Sequence, residues 1–591
     1  MNSFREGIMP ITRLKIEGLK MANLNIDSAK ERTFDAIVIG SGMSGGWAAK
    51  ELTGKGLKTL MLERGRDVKH IKDYPTTNLY PWEFEHRGEM PMDVQEANPI
   101  INRCYAFKED AAHFFVKDHE HPYVQEKPFD WIRGYQVGGK SLMWARQTQR
   151  WSDFDFEGPA RDGFAVDWPI RYKDIAPWYS YVEKFAGISG NKDGLAELPD
   201  GEFLPAFPLN AVEDYFSKHV KESYKNRHVI SARCAHLSKP NPIHLEQGRA
   251  QCQERTLCQR GCPFGGYFSA NSSTIPWALK SGNLTLRPFS VVQSIIYDEN
   301  KGKATGVRVI DTNTKETIDY YARIIFVNAA ALNTNLVLLN STSHRFPNGL
   351  GNDSGVLGKY VAFHNYSAHI GAEYDGFKEW KTDGRNPAGG GYMPRFRNVY
   401  KQETDFLRGY ASGFGAYRGY KHSHEGVGSE FKEGLAGKEL GPWRVGSHMM
   451  GETIPKESNF VSLDANKKDA WGIPQLKISI DYDDNDEKMK KDYLEQLKEM
   501  FTSAGFTNIK AESNHQAPGL DIHEMGGARM GNDPKTSILN KWNQVHACKN
   551  VFVTDGASMT STSCQNPSLT YMAFTARAAD YAVSEMQKGN I

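Results

Sequence analysis

Residues 34–65 read FDAIVIGSGMSGGWAAKELTGKGLKTLMLERG, the strongest structural signal in the chain. The apolar, β-branched run before the first glycine is typical of a buried parallel strand. It leads into Gly40-x-Gly42-x-x-Gly45, then apolar residues at helical spacing, then a second apolar run that ends at Glu63. In such a βαβ unit the glycines permit a tight turn, the approach of a pyrophosphate, and close packing of helix on strand. The segment predicts a dinucleotide site in which Glu63 accepts from the adenosine ribose.

Length and charge limit the classes of protein that fit. The 591 residues predict two domains, or one large domain with a second interleaved. Lys and Arg total 72 and Asp and Glu 71, so the charge gives no reason to expect a nucleic-acid partner. No run of about 18 apolar residues is present, so we expect no transmembrane helix. Residues 1–32 are interpreted as an N-terminal extension without the apolar core of a secretory signal.

Two segments near the C-terminus carry a second signature. Residues 521–530 read DIHEMGGARM, and residues 551–583 read VFVTDGASMTSTSCQNPSLTYMAFTARAADYAV. A His-x-x-Gly element thus precedes an apolar strand that ends in Asp-Gly, and Asn-Pro-x-x-Thr then opens a long helix. Together with the glycine-rich start and the segments 134–150 and 324–341, this pattern resembles the glucose–methanol–choline (GMC) oxidoreductase family.

The resemblance implies an FAD-dependent oxidoreductase with His523 as active-site base and Asn566 as its partner. A hydride can leave a carbinol carbon only if the hydroxyl proton departs too, and a neutral histidine can take that proton while an amide holds the same oxygen. A satisfied core histidine is the alternative interpretation of His523. Asp555 is either a turn residue or, as the resemblance favours, an acceptor near the FAD ribityl and pyrophosphate groups.

The segment VGGKSLMW at 137–144 resembles the family's loop that packs over the flavin. Gly138 and Gly139 are therefore candidate cofactor-binding residues, with a plain turn as the alternative. Some relatives carry a histidine just before the Trp that bonds covalently to the flavin. Met143 stands at that position, and because a thioether sulfur cannot make this linkage, we predict non-covalent FAD.

Three of the seven cysteines lie within CQERTLCQRGC at 252–262. Thiolates on one loop can bind an iron–sulfur cluster. The spacing resembles that of the catalytic subunits of bacterial FAD-dependent glucose dehydrogenases, which implies a [3Fe–4S] cluster on Cys252, Cys258 and Cys262. The alternatives are a zinc site, with His244 as the nearest fourth ligand in sequence, and structural or free thiols.

The predicted fold class is α/β (α+β overall), with a Rossmann-like FAD-binding domain and an interleaved substrate domain built on an antiparallel sheet. We assign the FAD-binding domain to residues 33–170, 245–345 and 515–591. The substrate-binding domain is then 171–244 and 346–514.

Within the second domain, three local patterns give finer predictions. The alternation in 475–483 predicts a strand, and the apolar positions in 484–504 predict an amphipathic surface helix. The glycine- and aromatic-rich stretches within 381–420 predict loops over a pocket.

The expected function is oxidation of a hydroxyl group of a sugar or glycoside. The pattern also resembles glucoside 3-dehydrogenase large subunits, which favours oxidation at C3 to a 3-keto product. The alternatives are a glucose 1-, gluconate or polyol dehydrogenase and an H2O2-forming sugar oxidase. The resemblance further implies a small subunit with an export signal, a cytochrome c or quinone acceptor, and a periplasmic location reached through that partner. A cytoplasmic location is the alternative.

Overall fold

The computed structural model of the protein describes residues 31–380, 389–423, 425–437, 440–513, 516–520 and 523–591. Most of the predicted N-terminal extension, residues 1–30, lies outside these ranges. The strands, in chain order, are β1 Thr33–Ile39, β2 Thr59–Leu62, β3 Val124–Gln125, β4 Ile188–Ser189, β5 Phe203–Leu204, β6 Ile230–Ser231, β7 Leu284–Arg287, β8 Ser290–Asp298, β9 Lys303–Asp311, β10 Thr317–Val327, β11 Lys359–Ala362, β12 His364–Asn365, β13 Ala368–Tyr374, β14 Gly391–Met393, β15 Tyr410–Tyr420, β16 Leu440–Glu452, β17 Phe460–Lys468, β18 Pro474–Ser479, β19 Thr507–Ser513, β20 Met525–Gly527, β21 Gln544–Val545 and β22 Cys548–Val553. The helices are α1 Met43–Gly54, α2 Met92–Ala97, α3 Asp153–Phe156, α4 Gly158–Asp162, α5 Tyr172–Ala186, α6 Ala211–Ser223, α7 Pro242–Glu246, α8 Thr274–Lys280, α9 Ala331–Asn340, α10 Ser429–Ala436, α11 Asp484–Ser503 and α12 Ser568–Gln587.

The glycine-rich segment forms the centre of a parallel sheet. Its strands lie in the order β22-β10-β1-β2-β7 and pair in parallel throughout. The β1 residues from Ala36 to Val38 are fully buried, as the apolar run requires. Helix α1 packs against α8 and α12 beside this sheet. The predicted α/β fold is confirmed.

A seven-stranded sheet forms the second layer. Its main path is β19-β13-β16-β15-β14-β6, with β12 paired to β16, and every pair in it is antiparallel. Helix α11 packs against β13, β16 and β19 of this sheet. Tyr493, Leu497 and Met500 lie buried on its inner face, at the spacing that predicted the helix.

The predicted strand within 475–483 lies elsewhere. It forms β18, which belongs to a five-stranded sheet in the order β20-β11-β17-β18-β3. Strand β20 of that sheet begins two residues after His523, so this sheet helps to place the C-terminal signature.

The loop prediction over 381–420 is wrong for residues 391–393, which form strand β14, and for residues 410–420, which form strand β15 between β14 and β16. Residues 381–388 lie outside the described part of the chain. A Cβ on Gly413 would overlap the ring of His448 on β16, so close approach between paired strands requires this glycine. The glycine-rich composition suggested a loop, but the glycine at 413 instead makes room in a strand for the side chain of His448 on the neighbouring strand.

The domain limits stay a prediction. Helix α5 shows how closely the two predicted domains are interleaved. Helix α5 lies within 171–244, which was assigned to the substrate domain. It nevertheless packs on α12, and Ile175, Tyr179 and Val182 share a buried core cluster with β1. Among the described residues, no helix combines the length and the apolar character needed to cross a membrane.

Candidate active site

A cavity of about 750 Å³ lies between the carboxyl ends of β1 and β2, the antiparallel sheet and the C-terminal signature. Its volume is within the range of ligand and cofactor pockets. Six of the eight residues predicted to bind the cofactor line this cavity, and the two exceptions are Gly45 and Gly138. His523 and Asn566 line it as well. The fold thus brings segments from both ends of the chain to one cavity.

The dinucleotide loop has the geometry that an anion site requires. Gly40 has φ +97°, a conformation that side chains rarely adopt, and a Cβ there would overlap the carbonyl oxygen of Asn328. A Cβ on Gly45 would overlap the carbonyl oxygen of Gly40, so only glycine allows α1 to pack this closely. Among the described residues no side chain caps the start of α1 at Gly42, and the first-turn N–H groups and the helix dipole favour a phosphate there.

Glu63 lies where β2 ends and is held in place by the same loop. Its Oε2 accepts from the Ser41 backbone N–H at 3.2 Å and from the Ser41 hydroxyl at 2.6 Å, and Oε1 accepts from the Gly65 N–H at 3.0 Å. Burial raises the pKa of Glu63, and these three bonds oppose the rise. A carboxylate fixed at the end of this strand fits the ribose of an adenine dinucleotide. The residues present therefore fit FAD.

The Gly138–Gly139 turn packs directly on the dinucleotide loop. The Gly138 N–H donates to the Ser41 hydroxyl at 3.0 Å, and the residue has φ +94°. A Cβ on Gly139 would lie 3.2 Å from the Cα of Gly42. Met143 follows on the cavity wall, where its sulfur lies 3.8 Å from the Gln136 amide nitrogen. Non-covalent attachment of FAD stays a prediction.

His523, Asn566 and His364 form a hydrogen-bonded line at the cavity. His523 Nε2 lies 3.3 Å from Asn566 Nδ2, and His523 Nδ1 lies 2.9 Å from His364 Nδ1. His364 Nε2 in turn bonds the Ser563 carbonyl. The sequence predicted the first two residues but not His364, which is 159 positions from His523 and carries no motif.

These contacts fix the tautomers of both rings. A carbonyl only accepts, so His364 carries its proton on Nε2 and donates to Ser563. Its Nδ1 is then an acceptor and takes the bond from the His523 Nδ1–H. His523 Nε2 is left with its lone pair, next to the Asn566 amide that can donate to it. The line therefore presents a proton acceptor at a defined atom.

Burial keeps both rings neutral. The pKa of His523 lies well below its usual value because burial disfavours the charged ring, and His364 and Lys140 lower it further. Burial lowers the pKa of His364 to about 4, against the opposing bond to Ser563. At pH 7 the unprotonated form of His523 is therefore the populated one.

A buried ionic cluster holds the segment that precedes Asn566. Arg395 bonds Asp155 at 3.1 Å and Glu452 at 2.8 Å, and its Nε lies 3.2 Å from the Cys564 sulfur. Ser563 donates to Asp155 at 2.9 Å. The cluster thus connects Ser563, whose carbonyl accepts from His364, and the segment before Asn566 to the antiparallel sheet. Removing one charged member would leave an uncompensated buried charge.

Asp555 and the start of α12 also line the cavity. Asp555 Oδ1 accepts from the Ala557 N–H at 3.0 Å, and Oδ2 accepts from the Thr334 hydroxyl, so the residue caps a short turn. Burial raises its pKa to about 6. The residue also lines the cavity, so both interpretations offered by the sequence are compatible with its position. Pro567, Ser568 and Tyr571 at the start of α12 line the cavity as well, so the positive end of this helix faces it.

Lys140 and Glu524 form a second feature that no motif predicted. Lys140 Nζ lies 3.1 Å from Glu524 Oε2, and both residues line the cavity beside His523. The other oxygen of Glu524 is buried with no partner among the described residues.

The three clustered cysteines do not form a metal site in this arrangement. Among the described residues, no group of three or more His, Cys, Asp or Glu side chains is placed to hold a metal ion. Cys258 lies 3.7 Å from His236 Nε2, whereas Cys262 accepts from the Gly266 N–H. His244 is bonded to the Lys184 carbonyl and the Asn241 N–H. The residues as placed do not fit an iron–sulfur cluster.

Known proteins are similar to this chain over most of its length. The GMC oxidoreductase family matches residues 34–365 by its N-terminal region and 455–575 by its C-terminal region. The 2-methyl-1,2-propanediol dehydrogenase of Mycolicibacterium austroafricanum is 27% identical over 93% of this chain and 94% of that protein. The fructose dehydrogenase large subunit of Gluconobacter japonicus is 25% identical over 94% of this chain and 98% of that protein.

Solved structures agree in fold. A variant of the Aspergillus oryzae formate oxidase has a TM-score of 0.60 with 13% sequence identity, over 94% of this chain and 99% of that one. Such low identity supports the fold alone. The family match covers more than half of the chain, and the cavity has the residues that fit FAD. The chain therefore belongs to the GMC oxidoreductases, FAD-dependent enzymes that act on CH–OH groups.

Proposed function

We propose that this protein is an FAD-dependent dehydrogenase that oxidises a hydroxyl of a sugar or glycoside, with C3 of a glucoside as the favoured position. The observation that carries the proposal is the line of His364, His523 and Asn566, which presents a neutral ring nitrogen to the cavity that the dinucleotide loop also lines. The similarity to a fructose dehydrogenase large subunit supports the sugar class.

Each residue has a defined task. His523 Nε2 accepts the hydroxyl proton of the substrate, and the Asn566 amide holds the same oxygen. His364 receives the bond from His523 Nδ1 and stabilises the positive charge that develops on the ring. FAD, when bound, supplies the hydride acceptor and electron sink. Gly40, Gly42, Gly45, Glu63, Gly138, Gly139 and Asp555 are the residues that would hold it.

The antiparallel sheet supplies the substrate side of the cavity. Tyr392, Gly413 and His448, from β14, β15 and β16, line it together with Tyr366 and His369. Burial lowers the pKa of His448 to about 4, so its ring is neutral at pH 7. Aromatic faces and neutral polar groups of this kind suit a sugar ring and its hydroxyls.

Electron transfer beyond the flavin belongs to the same proposal. We infer a small subunit that carries an export signal, a cytochrome c or quinone acceptor, and a periplasmic location reached with that subunit. The term large subunit in the name of the fructose dehydrogenase supports a multi-subunit enzyme. A [3Fe–4S] cluster on Cys252, Cys258 and Cys262 stays a prediction that the placement of the three thiols does not support. Iron analysis of the purified protein tests it directly.

The test is an anaerobic screen of glucosides, gluconate and polyols for bleaching of the flavin absorbance, with the product position read by NMR. His523→Ala should keep its flavin and lose reduction by the sugar, whereas His344→Ala, at an exposed histidine, should behave as the wild type. Unimpaired reduction in His523→Ala would rule out the assigned base. Turnover that consumes oxygen without an added acceptor would identify an oxidase instead.

A further inference from the structure

One histidine of the antiparallel sheet faces the cavity without a hydrogen bond. His448 on β16 lines the cavity and is only partly buried. Its ring packs against Tyr366, whose ring centroid lies 4.9 Å away, and against Gly413 on β15. Within the described part of the chain, neither ring nitrogen of His448 has a hydrogen-bond partner. His364 and His523, by contrast, have a partner for each ring nitrogen.

The strands around His448 hold its ring in this place. A Cβ on Gly413 would overlap the ring, so β15 makes room for it by having no side chain at that position. His369 lies directly opposite His448 on β13. A glycine inside a strand weakens that strand, and a polar group without a partner costs free energy when it leaves water. The arrangement is therefore unfavourable for the protein alone, and a ligand that bonds the ring would offset this cost.

The strand register separates His448 from the catalytic line. His364, which contacts His523, lies opposite Glu452 on β16, and His448 is four residues earlier on that strand. At about 3.3 Å per residue, the separation along the strand is about 13 Å. Met450 lies between these two positions on the same face of β16 and also lines the cavity. A single pyranose ring is shorter than this separation, so a hydroxyl bound by His448 belongs to a part of the ligand beyond the ring that meets His523.

A neutral imidazole suits a sugar hydroxyl. Burial lowers the pKa of His448 to about 4, so at pH 7 its ring has one N–H donor and one lone pair. A hydroxyl both donates and accepts, so it can bond either nitrogen. Gly371, Gly446 and Gly415 lie side by side on the next row of the sheet. These three strands therefore have no side chain in that row that would block a longer ligand.

We propose that His448 binds a hydroxyl of the second unit of the substrate, so that the preferred substrate is a disaccharide or another glycoside with a hydroxylated aglycone. The first unit then lies at His523, and the Tyr366 ring offers an aromatic face beside the second. The proposal rests on the proposed function and narrows its substrate class from sugars in general to glycosides of two units.

The test measures binding apart from turnover. The holoenzyme in a His523→Ala background is titrated by calorimetry with two matched pairs of ligands: maltose against methyl α-D-glucopyranoside, and cellobiose against methyl β-D-glucopyranoside. We expect the disaccharide of at least one pair to bind about 3- to 10-fold more tightly, as one additional hydrogen bond would give.

Three variants in the same background assign that preference. His448→Phe keeps a ring but removes both nitrogens, so it should abolish the preference and leave the affinity for the methyl glucoside unchanged. His448→Gln keeps a donor and an acceptor and should retain part of the preference. His344→Phe, at an exposed histidine, is the control and should bind both ligands as the parent protein does.

Each result decides the proposal. Equal affinities within both pairs would overturn it, as would a His448→Phe protein that keeps the preference. A His448→Gln protein no better than His448→Phe would attribute the effect to shape and also overturn it. Loss of FAD absorbance in His448→Phe would assign the ring to the cofactor, with the same consequence. If the preference depends on His448 but the wild-type enzyme oxidises no sugar or glycoside, the proposed function fails and the site for the second unit stands.

Discussion

Replacing His364 by phenylalanine removes the acceptor of the His523 Nδ1–H while keeping a ring in the same buried space. The wild-type contact spans 2.9 Å, and His364 itself is fully buried. His364→Gln is the matched variant. Its carbonyl oxygen can accept from His523 while its amide donates to the Ser563 carbonyl, as the imidazole does.

The size of the effect follows from the charge that His523 gains when it accepts the substrate proton. A hydrogen bond to a charged group contributes about 1.5–3 kcal/mol. Because each 1.36 kcal/mol is a factor of ten in rate, His364→Phe should slow flavin reduction about 10- to 150-fold. His364→Gln should recover most of that loss.

The assay is anaerobic stopped-flow reduction at saturating substrate, after confirming equal FAD content from the absorbance. In the wild type the rate should be independent of pH above the usual histidine pKa of about 6.5, because the pKa of His523 is lowered by burial. In His364→Phe the rate should fall at every pH. A His364→Phe enzyme as fast as wild type, or a Gln variant no faster than Phe, would refute the tautomer argument.

Three further predictions test the cofactor site and the fold. Gly45→Ala should abolish FAD binding, because the new Cβ overlaps the Gly40 carbonyl. Gly54→Ala in the same helix places its Cβ in open space and should bind FAD normally. The flavin absorbance that stays with each protein after gel filtration measures the binding. Acid or heat denaturation should release all FAD from the protein if Met143 makes no covalent bond, and flavin that stays with the peptide would contradict this. Burial raises the pKa of Asp486 to about 8, so the folded state keeps a proton that the unfolded state loses above about pH 4, and stability falls as the pH rises toward 8. Asp486→Asn should therefore raise the melting temperature at pH 8 but not at pH 4, equivalent to about 1–2 kcal/mol, and an equal gain at both pH values would exclude titration as the cause.

The dinucleotide unit could be predicted because its determinants are local. The strand, the three glycines and the acid occur within about thirty residues, and each has a stereochemical requirement that only certain residue types meet. His523 and Asn566 lie 43 positions apart, and the resemblance to a family identified them as a pair although geometry could not.

Residue composition and spacing were poor guides where the same pattern is compatible with more than one structure. Position 413 of strand β15 requires a glycine because a Cβ there would overlap the ring of His448 on β16, and nothing in residues 410–420 alone reveals that neighbour. The three cysteines have the spacing of cluster ligands, yet spacing does not say whether the sulfur atoms converge. For the strand, the missing information is a contact with a residue far away in the chain, whereas for the cysteines it is the conformation of the loop that carries them.

His364 shows what folding adds to the site. His364 reaches His523 only because β12 pairs with β16 while the C-terminal signature returns to the same cavity. The sequence by itself determined which residue types could bind and react. Long-range strand pairing determined which of them meet, since the position of one side chain relative to a distant one is a property of the folded chain.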